Sequence, residues 1–149
     1  MKIAVISDTH NLLRPELLQA LRSADEIIHA GDICNADVVK ELAAIAPLRI
    51  VRGNNDCGDW AIAIPETLEL KTGGLTVFVI HDRKQLPAAM PAYDLVITGH
   101  SHRPGDELID GQRFLNPGSC GPRRFNLPVS MAWLTITAAG FDIELVELV

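Results

Sequence analysis

The sequence has few aromatic residues, few cysteines and no long apolar run, and each absence argues against a class of protein. Aromatic residues make up 5% of the 149 residues, which disfavours a nuclease because such proteins stack bases on aromatic side chains. The three cysteines, Cys34, Cys57 and Cys120, form no CxxC pair, which argues against a disulfide framework and favours a reducing compartment. The longest stretch without a charged residue, 125–141, is interrupted by polar residues, glycine and proline and predicts no membrane span. We expect a cytoplasmic protein that does not act at a membrane.

Positive charge is also scarce. Thirteen Lys and Arg residues stand against nineteen Asp and Glu residues, which gives a net charge of −6. That balance disfavours salt-driven binding to nucleic acid or to an anionic membrane. Hydrophobic residues make up 48% of the chain and charged residues 21%, as in a folded domain. The length predicts a single domain over residues 1–149.

The order of predicted elements indicates the fold class. The first third alternates strands at 2–7, 26–30 and 48–52 with helices at 15–22 and 36–46, which is typical of βαβ units. The second half predicts a buried strand at 95–98 and three hairpins, at 67–71 with 75–80, 107–109 with 113–115, and 131–137 with 141–148. We therefore predict an α/β (four-layer α+β) fold in which a two-sheet β-sandwich is flanked by helices.

Seven side chains that can bind divalent cations follow predicted strands. They are Asp8, His10, Asp32, Asn54, His81, His100 and His102. Each alone has an ordinary structural interpretation, as a turn, a cap or a buried histidine. The carboxyl ends of parallel strands gather at one rim of a sheet, however, so the common placement of the seven predicts one site. His29 lies inside a predicted strand, and we interpret it as structural.

The ligand types indicate the metal chemistry. Imidazole, carboxylate and amide oxygen suit Mn, Fe, Co, Ni or Zn better than Ca. Seven ligands are too many for one tetrahedral ion and enough for two if one carboxylate bridges. Two ions about 3.5–4 Å apart can hold a hydroxide and clamp the attacking and leaving oxygens of a phosphoryl displacement. The sequence therefore predicts metal-assisted hydrolysis of a phosphoester.

The motifs resemble those of a known superfamily. DTH at 8–10, GD at 31–32, GNND at 53–56, His81, GHSH at 99–102 and NPGS at 116–119 are similar to the calcineurin-like metallophosphoesterases, and especially to their small YfcE-like phosphodiesterases. The resemblance implies the metallophosphoesterase fold and a dinuclear site. It implies that Asp8, His10, Asp32 and His102 hold the first ion and that Asp32 bridges to a second ion held by Asn54, His81 and His100.

The chain departs from the larger members of this superfamily, which carry GNHE or GNHD and GDxxD. Asn55 stands where their histidine protonates the leaving oxygen, and Asn35 stands where their aspartate orients that histidine. Neither amide can act as a general acid, a role typically worth about 10²–10⁴-fold in rate. A further departure is Asp82, which follows His81 where the family often has glycine, and adds negative charge. Asp56 matches the family, either as an outer partner of the site or as a turn cap.

The leading hypothesis is a phosphodiesterase that uses two divalent ions, Mn²⁺ foremost, on a small phosphodiester. Asn54 and His100 would orient substrate oxygens, and Asn55, Arg123 and Arg124 would contact the substrate, since a forked guanidinium suits phosphate. A solvated loop is an equally good interpretation of the arginine pair. A phosphomonoesterase is a further alternative. From another class, the missing acid allows a catalytically weak metal-binding scaffold for protein interaction. The sequence leaves open whether the protein forms a homo-oligomer.

Overall fold

Ten strands form two five-stranded sheets in the computed structural model, which describes residues 1–149. The strands are β1 (Lys2–Ile6), β2 (Glu26–His29), β3 (Leu48–Ile50), β4 (Thr67–Thr72), β5 (Leu75–Ile80), β6 (Leu95–Ile97), β7 (Gly105–Ile109), β8 (Gln112–Asn116), β9 (Ser130–Thr137) and β10 (Gly140–Glu147). The helices are α1 (Pro15–Leu21), α2 (Ala36–Ile45) and α3 (Asp59–Ile62), and Arg83–Gln85 forms one 3₁₀ turn. None of these helices is long and apolar enough to cross a membrane.

Both sheets are mixed. The first has the order β10-β9-β1-β2-β3, with β1, β2 and β3 parallel and β9 antiparallel to β1. The second has the order β4-β5-β6-β8-β7, with β5, β6 and β8 parallel. The three predicted hairpins are the antiparallel pairs β4–β5, β7–β8 and β9–β10. The predicted two-sheet sandwich is confirmed.

Alternation along β1 shows how the sequence builds the layers. Ile3 and Val5 face the second sheet and join one core, while Ala4 and Ile6 face the helices and join another. The inter-sheet core is completed from the second sheet by Val77, Val79, Leu95, Ile97 and Leu115. The helices contribute Leu17, Leu21, Val38 and Leu42. Each large aliphatic side chain buried in this way stabilises the fold by about 1.5–3 kcal/mol.

Helices were predicted to flank the sandwich, but the outer face of the second sheet is covered by an irregular segment instead. There Phe78, Ile80 and Val96 are covered by side chains of the irregular segment 83–93, mainly Leu86, Met90 and Tyr93. Only the 3₁₀ turn in this segment is helical. Neither that turn nor the four-residue α3 was predicted, because elements this short carry no hydrophobic periodicity.

The parallel pairings give the sandwich two different ends. At one end, which we call the carboxyl rim, lie the segments that follow β1, β2, β3, β5 and β6: residues 7–14, 30–35, 51–58, 81–85 and 98–104. At the other end, the hairpin rim, lie the turns 73–74, 110–111 and 138–139 and the starts of β2 and β6. All seven predicted metal ligands lie on the carboxyl rim.

Candidate metal centre

Asp8, His10 and His102 form the first cluster of ligand atoms, which all lie within 4.8 Å of one another. Asp8 Oδ1 is 3.6 Å from His10 Nε2 and 3.5 Å from His102 Nε2. Both Asp8 Oδ1 and His10 Nε2 are buried without a hydrogen-bond partner. Leaving such an atom unpaired costs about 1–3 kcal/mol. Buried acceptors that face one another without a donor fit a cation.

Asp32, His81 and His100 form the second cluster, which Asn54 joins. His81 Nδ1 lies 2.7 Å from the carbonyl oxygen of Ala30 and donates to it. In the neutral ring Nε2 therefore presents a lone pair, and in the protonated ring the same atom donates to Asp32. That nitrogen is 2.9 Å from Asn54 Oδ1 and 3.3 Å from His100 Nδ1. Asn54 Oδ1 is also 3.0 Å from His100 Nδ1. Electron-rich atoms this close together fit a second cation.

Asp32 lies between the two clusters. Its Oδ2 atom is 3.3 Å from His81 Nε2 in the second cluster and 3.6 Å from His10 Nε2 in the first. A carboxylate that bridges two ions requires this intermediate position. The seven predicted ligands are therefore close together, and the carboxylate predicted to bridge stands in the middle.

Five of these ligands occupy left-handed backbone conformations. Asp8, His10, Asp32, His100 and His102 have φ values between 44° and 70°. This conformation costs a residue with a side chain roughly 1–2 kcal/mol and is concentrated at functional sites. Hydrogen bonds between the loops after β1 and β2 hold it in place: the Asp8 N–H donates to Gly31 at 2.9 Å, and the His10 N–H donates to Asp32 at 3.0 Å.

Asp56 holds two of the metal-site loops together. Its buried carboxylate accepts hydrogen bonds from four backbone N–H groups, those of Asp32, Ile33, Cys34 and Gly53, at 2.8–3.0 Å. It thereby locks the loop after β2 to the loop after β3. Asp56 was not among the predicted site residues, although its place in the GNND motif was a signal. Of its two interpretations, the structure supports an outer partner of the site.

The loop with the NPGS motif supports the first cluster. Ser119 Oγ donates to the backbone oxygen of Asp8 at 3.0 Å, and Asn116 Nδ2 donates to Gly99 at 2.9 Å. The remaining oxygen of Asp8, Oδ2, accepts from Ser7 Oγ at 2.8 Å and from the His100 N–H at 3.1 Å. One carboxylate oxygen is thus satisfied by the protein, and the other is left for a ligand.

Local charges set the protonation of the site. Burial would raise the pKa of Asp32, but hydrogen bonds from His81 and Asn55 outweigh it and hold the pKa below its ordinary value. Burial would lower the pKa of His81, but the hydrogen bond to Asp32 and the charge of Asp8 raise it. Burial lowers the pKa of His102, and the positive charge of Arg124 adds to this effect. His102 is therefore neutral at pH 7 and able to bind a metal.

His29 is structural, as its place inside a strand predicted. It is fully buried, and its Nδ1 accepts from the Gly31 N–H at 3.0 Å. Its Nε2 therefore carries the proton and lies 3.0 Å from Thr9 Oγ1. Burial lowers the pKa of His29 to about 4.

The predicted substrate residues lie at different places. Asn55 donates to Asp32 from its backbone at 2.9 Å and from its side chain at 3.0 Å, so its amide rests on the central carboxylate. Arg124 is exposed, and its charge reaches His102. Arg123 turns back on its own loop and donates to the Leu127 carbonyl at 3.3 Å.

Asn35, at the position of the missing aspartate, is engaged in secondary structure. Its Oδ1 accepts from the Val38 N–H at 3.0 Å and caps α2, and its amide donates to Asn11. Neither contact orients a proton donor. Asn35 and Asn55 therefore do not replace the general acid and its orienting partner of the larger members.

The chain belongs to the calcineurin-like phosphoesterase superfamily, whose domain model matches residues 1–139. It is 30% identical to a phosphodiesterase of Methanocaldococcus jannaschii, a match that covers 80% of this chain and 84% of that protein.

Two solved structures share the fold. YfcE of E. coli, described as a phosphoesterase, superposes with a TM-score of 0.74 at 23% identity over 100% of both chains. Vps29 of Chaetomium thermophilum superposes with a TM-score of 0.79 at 19% identity, covering 98% of this chain and 97% of the other. At these identities the similarity shows the fold alone.

Proposed function

We propose that this protein is a metal-dependent phosphodiesterase that hydrolyses a small phosphodiester. The observation that carries the proposal is the pair of ligand clusters joined by Asp32, with buried acceptor atoms that no protein donor satisfies. When bound, two divalent ions supply an activated water nucleophile and positive charge for the phosphate.

The chain's own residues have three tasks in this proposal. Asp8, His10, Asp32 and His102 hold the first ion, and Asp32, Asn54, His81 and His100 hold the second. Asn54 and His100 also orient substrate oxygens, since both are exposed on the open side of the second cluster. Arg124 contributes a forked donor to the phosphate, while Arg123 and Asn55 would have to leave their present contacts to reach it.

The absence of a general acid favours substrates with a good leaving group. Asn55 cannot donate a proton to the leaving oxygen, so water must do so, or the leaving group must depart as an anion. We propose a diester rather than a monoester because the Methanocaldococcus jannaschii relative is named a phosphodiesterase.

Two further parts of the proposal concern the metal and the setting. The mixed imidazole, carboxylate and amide ligands favour Mn²⁺, with Ni, Fe, Co or Zn as alternatives. We propose a cytoplasmic setting because Cys34, Cys57 and Cys120 are all free thiols, as is usual in a reducing compartment.

The lack of a general acid at Asn35 and Asn55 supports a second candidate, a metal-binding scaffold with weak catalysis. Asn35 and Asn55 make structural contacts rather than a proton relay. One protein with this fold, Vps29, is not named for an esterase activity. The phosphodiesterase is favoured because every ligand position is filled.

The test is metal-restored activity on paired esters. Protein stripped with a chelator is supplied with Mn²⁺ and assayed on bis-p-nitrophenyl phosphate and p-nitrophenyl phosphate, beside Asp32→Asn and the exposed control Asp142→Asn. We expect Mn²⁺-dependent cleavage that favours the diester, is lost in Asp32→Asn and is kept in the control. Bound Mn²⁺ without turnover of either ester would favour the scaffold.

A further inference from the structure

A second feature of the carboxyl rim is a cleft of about 470 Å³ that opens beside His100. It lies between the segment after β5, which carries Arg83 and Lys84, and the loop from β6 to β7, which carries Arg103. Because His100 is one of its lining residues, the cleft is continuous with the proposed metal centre. Its volume is within the range of pockets that hold small organic ligands.

The cleft carries more basic than acidic side chains, although the chain as a whole is acidic. Arg83, Lys84 and Arg103 line it, in a protein whose net charge is −6. Phe114 is the one hydrophobic residue in its lining. Lys84 and Arg103 form no ion pair within the chain. These two charges are therefore available to a ligand.

The two acidic residues of the cleft are engaged elsewhere. Asp82 accepts from the Lys84 N–H at 3.0 Å and lies 3.9 Å from His100 Nε2, which turns it toward the metal centre. Glu107 lies 4.0 Å from Arg83 Nη1, and the Arg83 guanidinium lies 4.3 Å from the centre of the Phe114 ring. These contacts fix Arg83 at the wall of the cleft and leave its other donors free.

We propose that this cleft binds the organic arm of the diester that stays on phosphorus, and that this arm carries a second phosphate. The inference rests on the proposed phosphodiesterase function. Hydrolysis forms a bond between a water oxygen and the phosphorus beside His100 and breaks the bond from that phosphorus to the leaving oxygen. The leaving group departs as an anion, and the proton of the water passes to solvent. Arg83, Lys84 and Arg103 meanwhile hold the second phosphate, for which forked guanidinium donors are well suited. The substrate class is thus a phosphodiester with an additional phosphoryl group on its retained arm.

The test uses two substrates with the same leaving group. They are the p-nitrophenyl ester of thymidine 5′-phosphate and the 5′-p-nitrophenyl ester of thymidine 3′,5′-bisphosphate, which differ only by the 3′-phosphate. With Mn²⁺ we expect a KM about tenfold lower for the second, the factor expected from one charge-assisted hydrogen bond. We expect a similar kcat for both, because the chemical step is the same.

The double variant Lys84→Ala/Arg103→Ala removes the two charges that have no ion-pair partner and should lose most of this KM preference. The matched control Arg22→Ala/Lys40→Ala removes two exposed charges on and beside the helices and should keep it. All four side chains are exposed, so we expect both variants to fold, which thermal unfolding checks.

The outcomes separate the two proposals. Turnover of both esters with equal KM would overturn the inference and leave the phosphodiesterase function standing. No turnover of either ester would contradict the function. In that case calorimetry with thymidine 3′,5′-bisphosphate and thymidine 5′-phosphate still tests the cleft. Tighter binding of the bisphosphate that depends on Lys84 and Arg103 supports the inference, and equal binding overturns it.

Discussion

A buried carboxylate has different neighbours at the two rims of the sandwich. On the hairpin rim, Glu26 is buried at the start of β2, and its Oε1 lies 3.4 Å from the Arg49 side chain. On the carboxyl rim, Asp8 is fully buried, and no lysine or arginine lies within ion-pair distance of it. Asp8 Oδ1 faces histidine nitrogens instead. A buried negative charge needs a positive partner, and at the carboxyl rim the proposed metal ion would be that partner.

The backbone shows the same contrast. Most left-handed residues at the hairpin turns are glycines, such as Gly74 and Gly111, for which this conformation costs little. The left-handed residues at the carboxyl rim include aspartates and histidines that face the metal centre. Strain is thus concentrated where ligands must converge. The following four changes test this difference, from the largest expected effect to the smallest.

Removing Asp56 should have the largest effect, because it leaves four backbone N–H groups of the carboxyl rim without their acceptor. We expect Asp56→Ala to lower the free energy of unfolding by about 3–5 kcal/mol. On the hairpin rim, Asp94 accepts from the backbone and side chain of Thr76 but is exposed, and Asp94→Ala should cost about 1 kcal/mol. Urea unfolding of both variants measures the difference, and equal losses would contradict it.

Asp8→Asn tests the same contrast through activity. The substitution keeps the shape of the side chain and removes a negative ligand from the first cluster. We expect hydrolysis of bis-p-nitrophenyl phosphate to fall by at least about 100-fold, since even outer partners of metal ligands are worth 10–100-fold. Asp110→Asn makes the same chemical change at a left-handed residue of the hairpin rim and should retain full activity. An Asp8→Asn variant that retains full activity would count against the metal centre.

His29 should make stability depend on pH. Its pKa in the folded chain is about 4, below the ordinary value of 6.5, because burial disfavours the charged form. The unfolded chain therefore takes up a proton first as the pH falls, and the folded state loses stability between pH 6.5 and 4. Between pH 6.5 and 5 this contributes about 1.5 kcal/mol. Urea unfolding of the chelator-treated protein at pH 6.5 and at pH 5 measures how much unfolding free energy is lost between them. The loss should be smaller by that amount in His29→Gln than in the unaltered protein, and equal losses would contradict the low pKa of His29.

A glycine at each rim gives the finest comparison. A side chain at Gly53 would overlap the carboxylate and backbone of Asp32, whereas a side chain at Gly111 would meet no atom within 4 Å. We expect Gly53→Ala to weaken Mn²⁺ binding about tenfold by displacing Asp32, as one outer partner of a ligand would. Gly111→Ala should cost about 1 kcal/mol of stability through its left-handed backbone and leave Mn²⁺ affinity unchanged. Calorimetric titration separates these effects, and equal affinities would refute the difference.

The sequence predicted most of the fold because its strands and hairpins follow regular rules. Alternation in β1 and the Asp110-Gly111 turn are local patterns, and the observed elements agree with them to within about two residues. The covering of the second sheet by segment 83–93 could not be predicted in the same way. It depends on Leu86, Met90 and Tyr93 meeting Phe78 across the fold, and that contact has no local periodicity.

The sequence predicted that the seven candidate ligands would meet at one rim, but not the contacts that support them. The ligands follow strands, and strand order brings their loops to one rim. The role of Asp56 depends on two loops meeting, and the positions of Asn55 and Arg123 depend on side-chain contacts that spacing does not record. The basic cleft was not predicted from the sequence for the same reason, because Arg83 and Arg103 line one cleft only in the folded chain.

The most direct test of the account is a calorimetric titration of chelator-treated protein with Mn²⁺. The account predicts two ions per chain in the unaltered protein and in Asp110→Asn, and one or none in Asp32→Asn, because Asp32 stands between both clusters. No binding by the unaltered protein, or the same stoichiometry and affinity in Asp32→Asn, would contradict it.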